Sequence, residues 1–465
     1  MASEKVSAFR AVIVGGSIAG LTLAHAFDQA NIDYVLLESY DVIAPEKGAG
    51  IALSENGARI LDQLGIYDHI ESHLQPIQSV IHLRGDSGEV ARQLDWPKIV
   101  SERLNYSGGL TTRRQLVQML YDLLKDKSKI LTGKRVVRVE HLAESVIVHC
   151  KDGTCFPGDV VVGADGIHSK VRKEMRRYAY ERGDGMLFKK DSTSMAAEYS
   201  CVFGIAKPLP EVIAGCTYTS FGIDRSGIIF TGKNGVPYFF FAIKLDRKYM
   251  EQEIPKYGPR DLEDVIEKFG DFRMHPQYCL KDLYTNRSSA SYHALEEAIN
   301  SVWTYRRFVC LGDSIHKMTP NYGQGGNQAI ESAAVLASAV SFFLGTQNAN
   351  IEECLRIYQK IRLRRANSHV RVSRAVTEVE ALANFRAALL FQFPALTDEQ
   401  IAMMITSYRG AAPVISYLPL PPRSLKPGLC WSDEIDHGTS VYQAAARSRS
   451  IQGKKSRRAF GLAAH

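Results

Sequence analysis

Ala11 to Val14 is a short unbroken apolar run, and Tyr34 to Leu37 is a second. Between them lie a glycine-rich turn and Leu21 to Ala30, whose apolar residues recur at helical spacing. Apolar runs without alternation are the pattern of strands buried on both faces, so the chain opens as a β-α-β unit. The strand-turn-helix pattern then returns twice. Asp159 to Gly163 reads as a strand and Gly166 to Arg172 as a turn entering a helix, while Phe308 to Leu311 leads through glycines into the helix Gln328 to Phe343. From about 185 to 285 the pattern changes to short β-rich runs, among them Ser200 to Ile205, Gly227 to Thr231 and Tyr238 to Leu245, separated by Gly, Pro and Asp turns. In Tyr238-Phe239-Phe240-Phe241, strand geometry sends alternate rings to opposite faces. Beyond 345, helical spacing takes over in Ile351 to His369 and Arg371 to Leu389, before the proline-rich stretch Ser416 to Ser424.

These patterns predict an α/β fold in which residues 1–184 and 286–345 form one discontinuous domain around a parallel sheet. Residues 185–285 form an inserted antiparallel sheet, and 346–465 a C-terminal helical region with a basic tail. The formal charge of +7 is concentrated in that tail, where Arg447, Arg449, Lys454, Lys455, Arg457 and Arg458 stand without an acid; the rest of the chain carries about +1. Nucleic-acid binding would need a basic face on the folded body, and none is suggested, whereas the tail fits peripheral attraction to an anionic membrane surface. No run reaches the ~18 apolar residues of a membrane span, so the expectation is a cytoplasmic protein, membrane-associated at most through its tail. The eight cysteines are scattered and read as reduced core thiols, and no metal site is expected.

The first turn carries the clearest chemistry. In Gly15-Gly16-Ser17-Ile18-Ala19-Gly20, Gly15 permits the tight turn and Gly20 lets the helix pack against the strand, so the helix N-terminus offers free N–H groups to a pyrophosphate. Glu38, 18 residues after Gly20, is placed to accept hydrogen bonds from ribose hydroxyls. Ser17 replaces the middle glycine of the usual dinucleotide fingerprint, but a small hydroxyl residue still lets phosphate approach. The unit is Rossmann-like.

The second stretch is Gly163-Ala164-Asp165-Gly166-Ile167-His168-Ser169, and the third is Gly312-Asp313-Ser314-Ile315-His316-Lys317-Met318-Thr319-Pro320 running to Gly323-Gln324-Gly325-Gly326-Asn327. The three stretches, in this order, resemble the single-component FAD-dependent hydroxylases, the p-hydroxybenzoate hydroxylase-like group, over roughly residues 8 to 345. The resemblance implies FAD as cofactor and NADPH or NADH as co-substrate. It assigns Asp165 to the path shared by FAD and NAD(P)H, Asp313 to the ribityl chain, and Arg113 (rather than Arg114) to the flavin side chain and pyrophosphate. Gly325, Gly326 and Asn327 would lie against the ring, whose reduced form is an anion stabilised by backbone donors and a helix N-terminus. Ala52 joins them as a cofactor contact.

Details of the glycine turn, the third stretch and the proline segment resemble the fungal secondary-metabolite branch. For that branch the resemblance implies a reduced flavin that adds O₂ at C4a and passes one oxygen to an apolar substrate, such as a prenylated indole or meroterpenoid. Epoxidation is favoured over phenol hydroxylation because no base for a ring hydroxyl stands out. The competing reading is a flavin oxidoreductase without oxygen insertion. No catalytic residue is assigned; His82, Tyr199 and Tyr218 are expected to flank the pocket, and Tyr218 is the one catalytic candidate. The sequence does not set an oligomeric state.

Overall fold

The computed structural model describes residues 9–46, 50–191, 194–346, 350–392 and 396–432; the basic tail lies outside them. The apolar runs read from the sequence form one sheet. Arg10–Val14 lies between Val160–Gly163 and Asp33–Leu37, all parallel, with Phe308–Cys310 beyond one side and Ile130–Leu131 beyond the other. Thr304–Tyr305 closes the edge antiparallel. Helix Ile18–Gln29 packs on this sheet and against Gly325–Leu344, and their small residues allow it. Gly325–Leu344 is long and apolar enough to cross a membrane, yet most of it is buried in the protein core.

A second sheet has eight strands, in the order His316–Lys317, Arg287–Ile299, Met195–Ala206, Pro237–Met250, Arg225–Thr231, Cys216–Gly222, Ser79–Arg84 and Val90–Leu94. Its centre lies in the expected span 185–285, but both flanks come from outside it. Arg287–Ile299 pairs with Met195–Ala206, and Ser79–Arg84 lies parallel to Cys216–Gly222. Ser79-Val-Ile-His-Leu-Arg84 carries too short an alternation to stand out alone; its place comes from pairing with a distant strand, which no local pattern records.

Strand registers divide the sheet's side chains into two faces. Val202, Phe241, Gly227, Ser220 and Leu83 are opposite one another on the outer face. That face is sealed by Phe272 and Met274, since a Cβ on Gly227 would meet Met274 Sδ at 2.2 Å. Phe203, Phe240, Ile228, Thr219 and His82 form the matching row on the inner face. Tyr238 shares the inner face and docks it onto the other half, its Cγ 2.8 Å from where a Cβ on Gly50 would stand. The C-terminal chain completes the molecule. Ile351–Glu380 is one long helix that ends before the expected Leu389, and Ala381 and Phe391 pack on the inner face.

Candidate flavin site

The three glycine-bearing stretches, far apart in sequence, meet at the carboxyl ends of the parallel strands. Gly15 has φ +111°, and a Cβ there would stand 2.3 Å from Ala164 O; a Cβ on Gly20 would stand 2.0 Å from Gly15 O. Only glycine permits either approach. Leu311 N–H donates to Gly163 O at 3.0 Å, and Ser314 Oγ donates to the same carbonyl at 2.7 Å. Arg172 Nη1 donates to Ser314 O at 2.6 Å, which ties the second stretch to the third.

Around this junction the expected site residues are brought together unevenly. Glu38 is buried and accepts from Gly16 N–H at 2.7 Å and from Tyr40 N–H at 2.9 Å. Arg113 Nη2 donates to Ser17 Oγ at 2.8 Å and also lies within electrostatic reach of Asp313. Arg114 turns outward to Glu46, so the two neighbouring arginines are separated by geometry. Asp313 keeps 38% of its side chain accessible although protein surrounds it, so the solvent it meets is in an internal cleft. Burial raises its proton affinity, but Lys317 Nζ at 2.7 Å outweighs that, with help from Arg113, and holds the carboxyl below its usual range. Asp165 is committed differently. It accepts from Ser169 Oγ at 2.5 Å and from the Lys170 and Val171 amides at 2.6 and 3.1 Å, so it caps the helix Lys170–Glu181.

The glycine-rich loop rests on the strand Gly50–Leu53. Asn327 is the fastener: its Oδ1 accepts from Ser54 N–H at 2.9 Å, and its Nδ2 donates to Ala52 O and Gly323 O at 3.0 and 2.9 Å. It stands in the first turn of Gly325–Leu344, whose N-cap is Gln324. Ala52 Cβ lies 3.5 Å from where a Cβ on Gly323 would be, and Ile51 crowds Gly326. Gly325 is different, for nothing lies within 4 Å of where its Cβ would stand. No capping side chain closes this helix or Ile18–Gln29. The helices starting at Arg113 and Lys170 are closed by Thr112 and Ser169. Uncapped first turns, one of them with the open Gly325, are what an anionic group needs at a helix N-terminus.

A match to the FAD-binding domain family covers residues 8–373. The chain belongs to that FAD-binding family. Among curated proteins it is similar to the FAD-dependent monooxygenase ptmM of Penicillium ochrochloron, 39% identical over 378 residues that cover 80% of this chain and 89% of the relative. It is also similar to the FAD-dependent monooxygenase penE of Penicillium thymicola, 36% identical over 452 residues, covering 96% and 92%. Among solved structures, Klebsiella pneumoniae HpxO complexed with FAD and uric acid aligns with a TM-score of 0.72 at 23% identity, covering 87% of this chain and 97% of that one. A salicylate hydroxylase substrate complex aligns with a TM-score of 0.67 at 20% identity, covering 88% and 99%. This protein is therefore an FAD-dependent monooxygenase of the single-component type, with the corresponding fold.

The residues present fit the flavin cofactor of this monooxygenase: an open glycine at an uncapped helix start, a partly accessible Asp313, and Arg113 beside Ser17. The catalytic candidate is corrected. Tyr218 pairs opposite Ile229 and lies on the outer face, where it packs on His275 and its hydroxyl accepts from Ile213 N–H at 3.2 Å. One position of the pleat turned it away from the cleft. His82 and Tyr199 do lie on the inner-face side of the sheet. Burial lowers His82 to about 4, so its imidazole is neutral at pH 7. His316 is fully buried against Ser332 and is likewise lowered to about 4, which makes it a packing residue of the third stretch.

Sequence reading missed one contact between the flavin loop and the C-terminal helix, that of Asn321 with Glu380. Glu380 ends the long helix Ile351–Glu380, and Asn321 Nδ2 donates to its Oε2 at 2.5 Å. A glutamate late in an amphipathic helix has the local pattern of a solvated face, and only the tertiary contact with the flavin loop distinguishes it.

Proposed function

We propose that this monooxygenase uses NAD(P)H and O₂ to place one oxygen atom on a carbon–carbon double bond of an apolar secondary-metabolite intermediate, such as a prenylated indole or meroterpenoid. The observation that carries this reading is the inner face itself: Phe203, Phe230, Phe240, Ile228 and Ala242 form one apolar wall, and Ala381, next to the loop's partner Glu380, packs in the same cluster. The overall reaction consumes substrate, O₂, NAD(P)H and a proton, and yields epoxide, NAD(P)⁺ and water. The flavin, when bound, supplies the activation of oxygen.

The chain's own residues supply the rest. Glu38 would hold the adenosine ribose, with Gly15, Ser17 and Gly20 shaping the turn beneath the pyrophosphate. Arg113 would neutralise phosphate charge, Asp313 would hold the ribityl hydroxyls, and the first-turn amides at Gly325, Gly326 and Asn327 would face the ring's electron-rich edge, braced by Ala52. Asp165 would act through the helix it caps, by fixing the second stretch against the first. The aromatic wall excludes water and holds the double bond in place. An alkene needs no base, which suits a wall whose His82, lowered to about 4 by burial, is a poor proton acceptor.

For the reductant, a groove of about 670 Å³ runs beside the second stretch, between His168, Arg172, Lys173 and Arg176 on one wall and Glu251 to Tyr257 on the other. Lys173, Arg176 and Lys256 make no ion pair there among the described residues, while the acids Glu251 and Asp191 are engaged by backbone amides. Uncommitted cations along a groove of this size support docking of a dinucleotide phosphate.

The test is turnover of purified, FAD-loaded protein with NADPH under ¹⁸O₂ on a panel of prenylated indoles and aromatics. A product carrying one ¹⁸O, with a mass gain of one oxygen at a former double bond, supports the reading. NADPH consumption with no oxygenated product overturns it in favour of a reductase, and oxygen on an aromatic ring overturns epoxidation alone.

A further inference from the structure

The long C-terminal helix presents one stripe to the flavin loop. Ser373, Thr377 and Glu380 follow one another at the spacing of a single helical face. Ser373 Oγ donates to Thr319 O at 2.7 Å, and Thr377 Oγ donates to Thr319 Oγ1 at 2.9 Å. Both hydroxyls are satisfied by Thr319 and pin the start of the loop. The third contact is unlike them. Asn321 Nδ2 donates to Glu380 Oε2, which leaves Asn321 Oδ1 buried with no partner and the second oxygen of Glu380 uncommitted to Asn321. The next residue, Ala381, is fully buried in the cluster formed by Tyr199, Cys201, Ile228, Phe240, Ala242 and Leu295, which is the inner face of the sheet. Glu380 therefore stands where the aromatic wall meets the flavin loop.

A carboxyl in that position has no cation to hold it ionised. Burial raises its proton affinity to about 8, and only the Asn321 amide opposes the shift. Besides burial, the Asn321 amide is the one influence on it; Tyr322 is the next residue on the loop, Tyr199 belongs to the cluster that buries Ala381, and Glu378 lies two residues back on its own helix. Both tyrosines are themselves raised by burial, Tyr199 the more so. On the same sheet burial lowers His82 and raises Cys201, which keeps both uncharged.

We propose that Glu380, placed between Asn321 of the flavin loop and the cluster that buries Ala381, is the polar anchor of the substrate pocket, its carboxyl O–H donating a hydrogen bond to an oxygen of the substrate. The adjacent Asn321 Oδ1 accepts in turn from any N–H or O–H beside that oxygen. This deepens, and rests on, the reading of an apolar substrate. The substrate is then a terpenoid or prenylated body that carries a carbonyl or hydroxyl oxygen at a fixed distance from the double bond. Without such an anchor, an aromatic wall would bind a flexible prenyl chain in several registers and give mixed products. A donor at one end selects one register.

Two measurements on the FAD-loaded full chain test this, each with wild type, Glu380→Gln and Glu380→Leu. The infrared carbonyl band of a protonated carboxyl should disappear with a midpoint near pH 8 in wild type, and that transition should be missing in both variants. Binding is read from perturbation of the flavin absorption by farnesylacetone and by the hydrocarbon that lacks only its oxygen. Wild type should prefer the ketone by about tenfold at pH 7, the worth of one ordinary buried hydrogen bond, and should lose that preference as the pH rises through 8. Glu380→Gln keeps a neutral donor, so it should retain most of the preference and hold it at pH 9. Glu380→Leu should abolish it. A ketone preference that survives in Glu380→Leu, or a carboxyl band unchanged in Glu380→Gln, overturns the proposal. A failure of oxygen transfer to every panel substrate would instead sink the epoxidation reading, and the infrared band would still decide the state of Glu380.

Discussion

The two halves of this monooxygenase are built from opposite materials. The nucleotide half works through backbone and charge, with Gly15 and Gly20 bringing chain against chain and Arg113, Lys317 and Asp313 gathered at the cleft. The sheet half presents an apolar wall whose titratable groups are driven toward their neutral forms, as His82 is. The difference teaches that one molecule can set a charged surface and an apolar one side by side without a partition, since each is hostile to what the other would hold.

The comparison breaks most severely at the cluster beneath the cofactor helix. Glu331 is fully buried and accepts from Arg362 Nη1 at 2.6 Å and Arg365 Nε at 2.7 Å. Glu331→Ala leaves two buried guanidinium groups without their counter-ion and should cost about 3–5 kcal/mol in chemical denaturation. A smaller loss would mean water or another acid takes over. The same carboxyl sets an acid limit. Burial works to raise its proton affinity, but Arg365 and Arg362 outweigh it and hold the folded value below the ordinary one. Its contribution should therefore be complete above the unfolded pKa of about 4.3 and be lost only as the pH falls below that value, and Glu331→Gln should flatten this part of the pH–stability curve.

Next in size is the contrast between neighbours. Arg113→Ala should weaken FAD binding by about tenfold to a hundredfold, the worth of a charge-assisted contact, while Arg114→Ala should change it less than about twofold, as for an exposed ion pair. Equal effects in a flavin-fluorescence titration would mean that the outward pose of Arg114 is wrong. Phe203→Ala, on the inner wall, should raise KM for a prenylated substrate by about tenfold with flavin content unchanged; a drop in flavin content would blur the division between halves. Smallest is Tyr218→Phe, which removes the partner of Ile213 N–H and should cost about 1 kcal/mol of stability with turnover intact.

How much of this could be read from the chain depends on whether a feature is continuous in sequence. The parallel strands, the turn at Gly15 and the loop before Gly325 are each contiguous, so spacing alone announced them. The inner wall is not. It is assembled from alternate residues of strands as distant as Ser79–Arg84 and Arg287–Ile299, and a single step of the pleat moved Tyr218 to the far side. Glu380 was illegible for a related reason, because its neighbour Asn321 comes from another part of the chain. Asp165 was legible as a motif residue, but its employment as a helix cap became visible only from its hydrogen bonds.

One feature reaches beyond catalysis. The helix Gly325–Leu344 starts at the flavin loop, is fastened by Asn327 to the strand Gly50–Leu53 and by Glu331 to the C-terminal helix. Whatever occupies its open first turn is thereby joined by mass action to the integrity of the whole molecule. The apoprotein should melt earlier and be cleaved faster than the loaded enzyme, so that in a cell the lifetime of this protein would follow the supply of its vitamin.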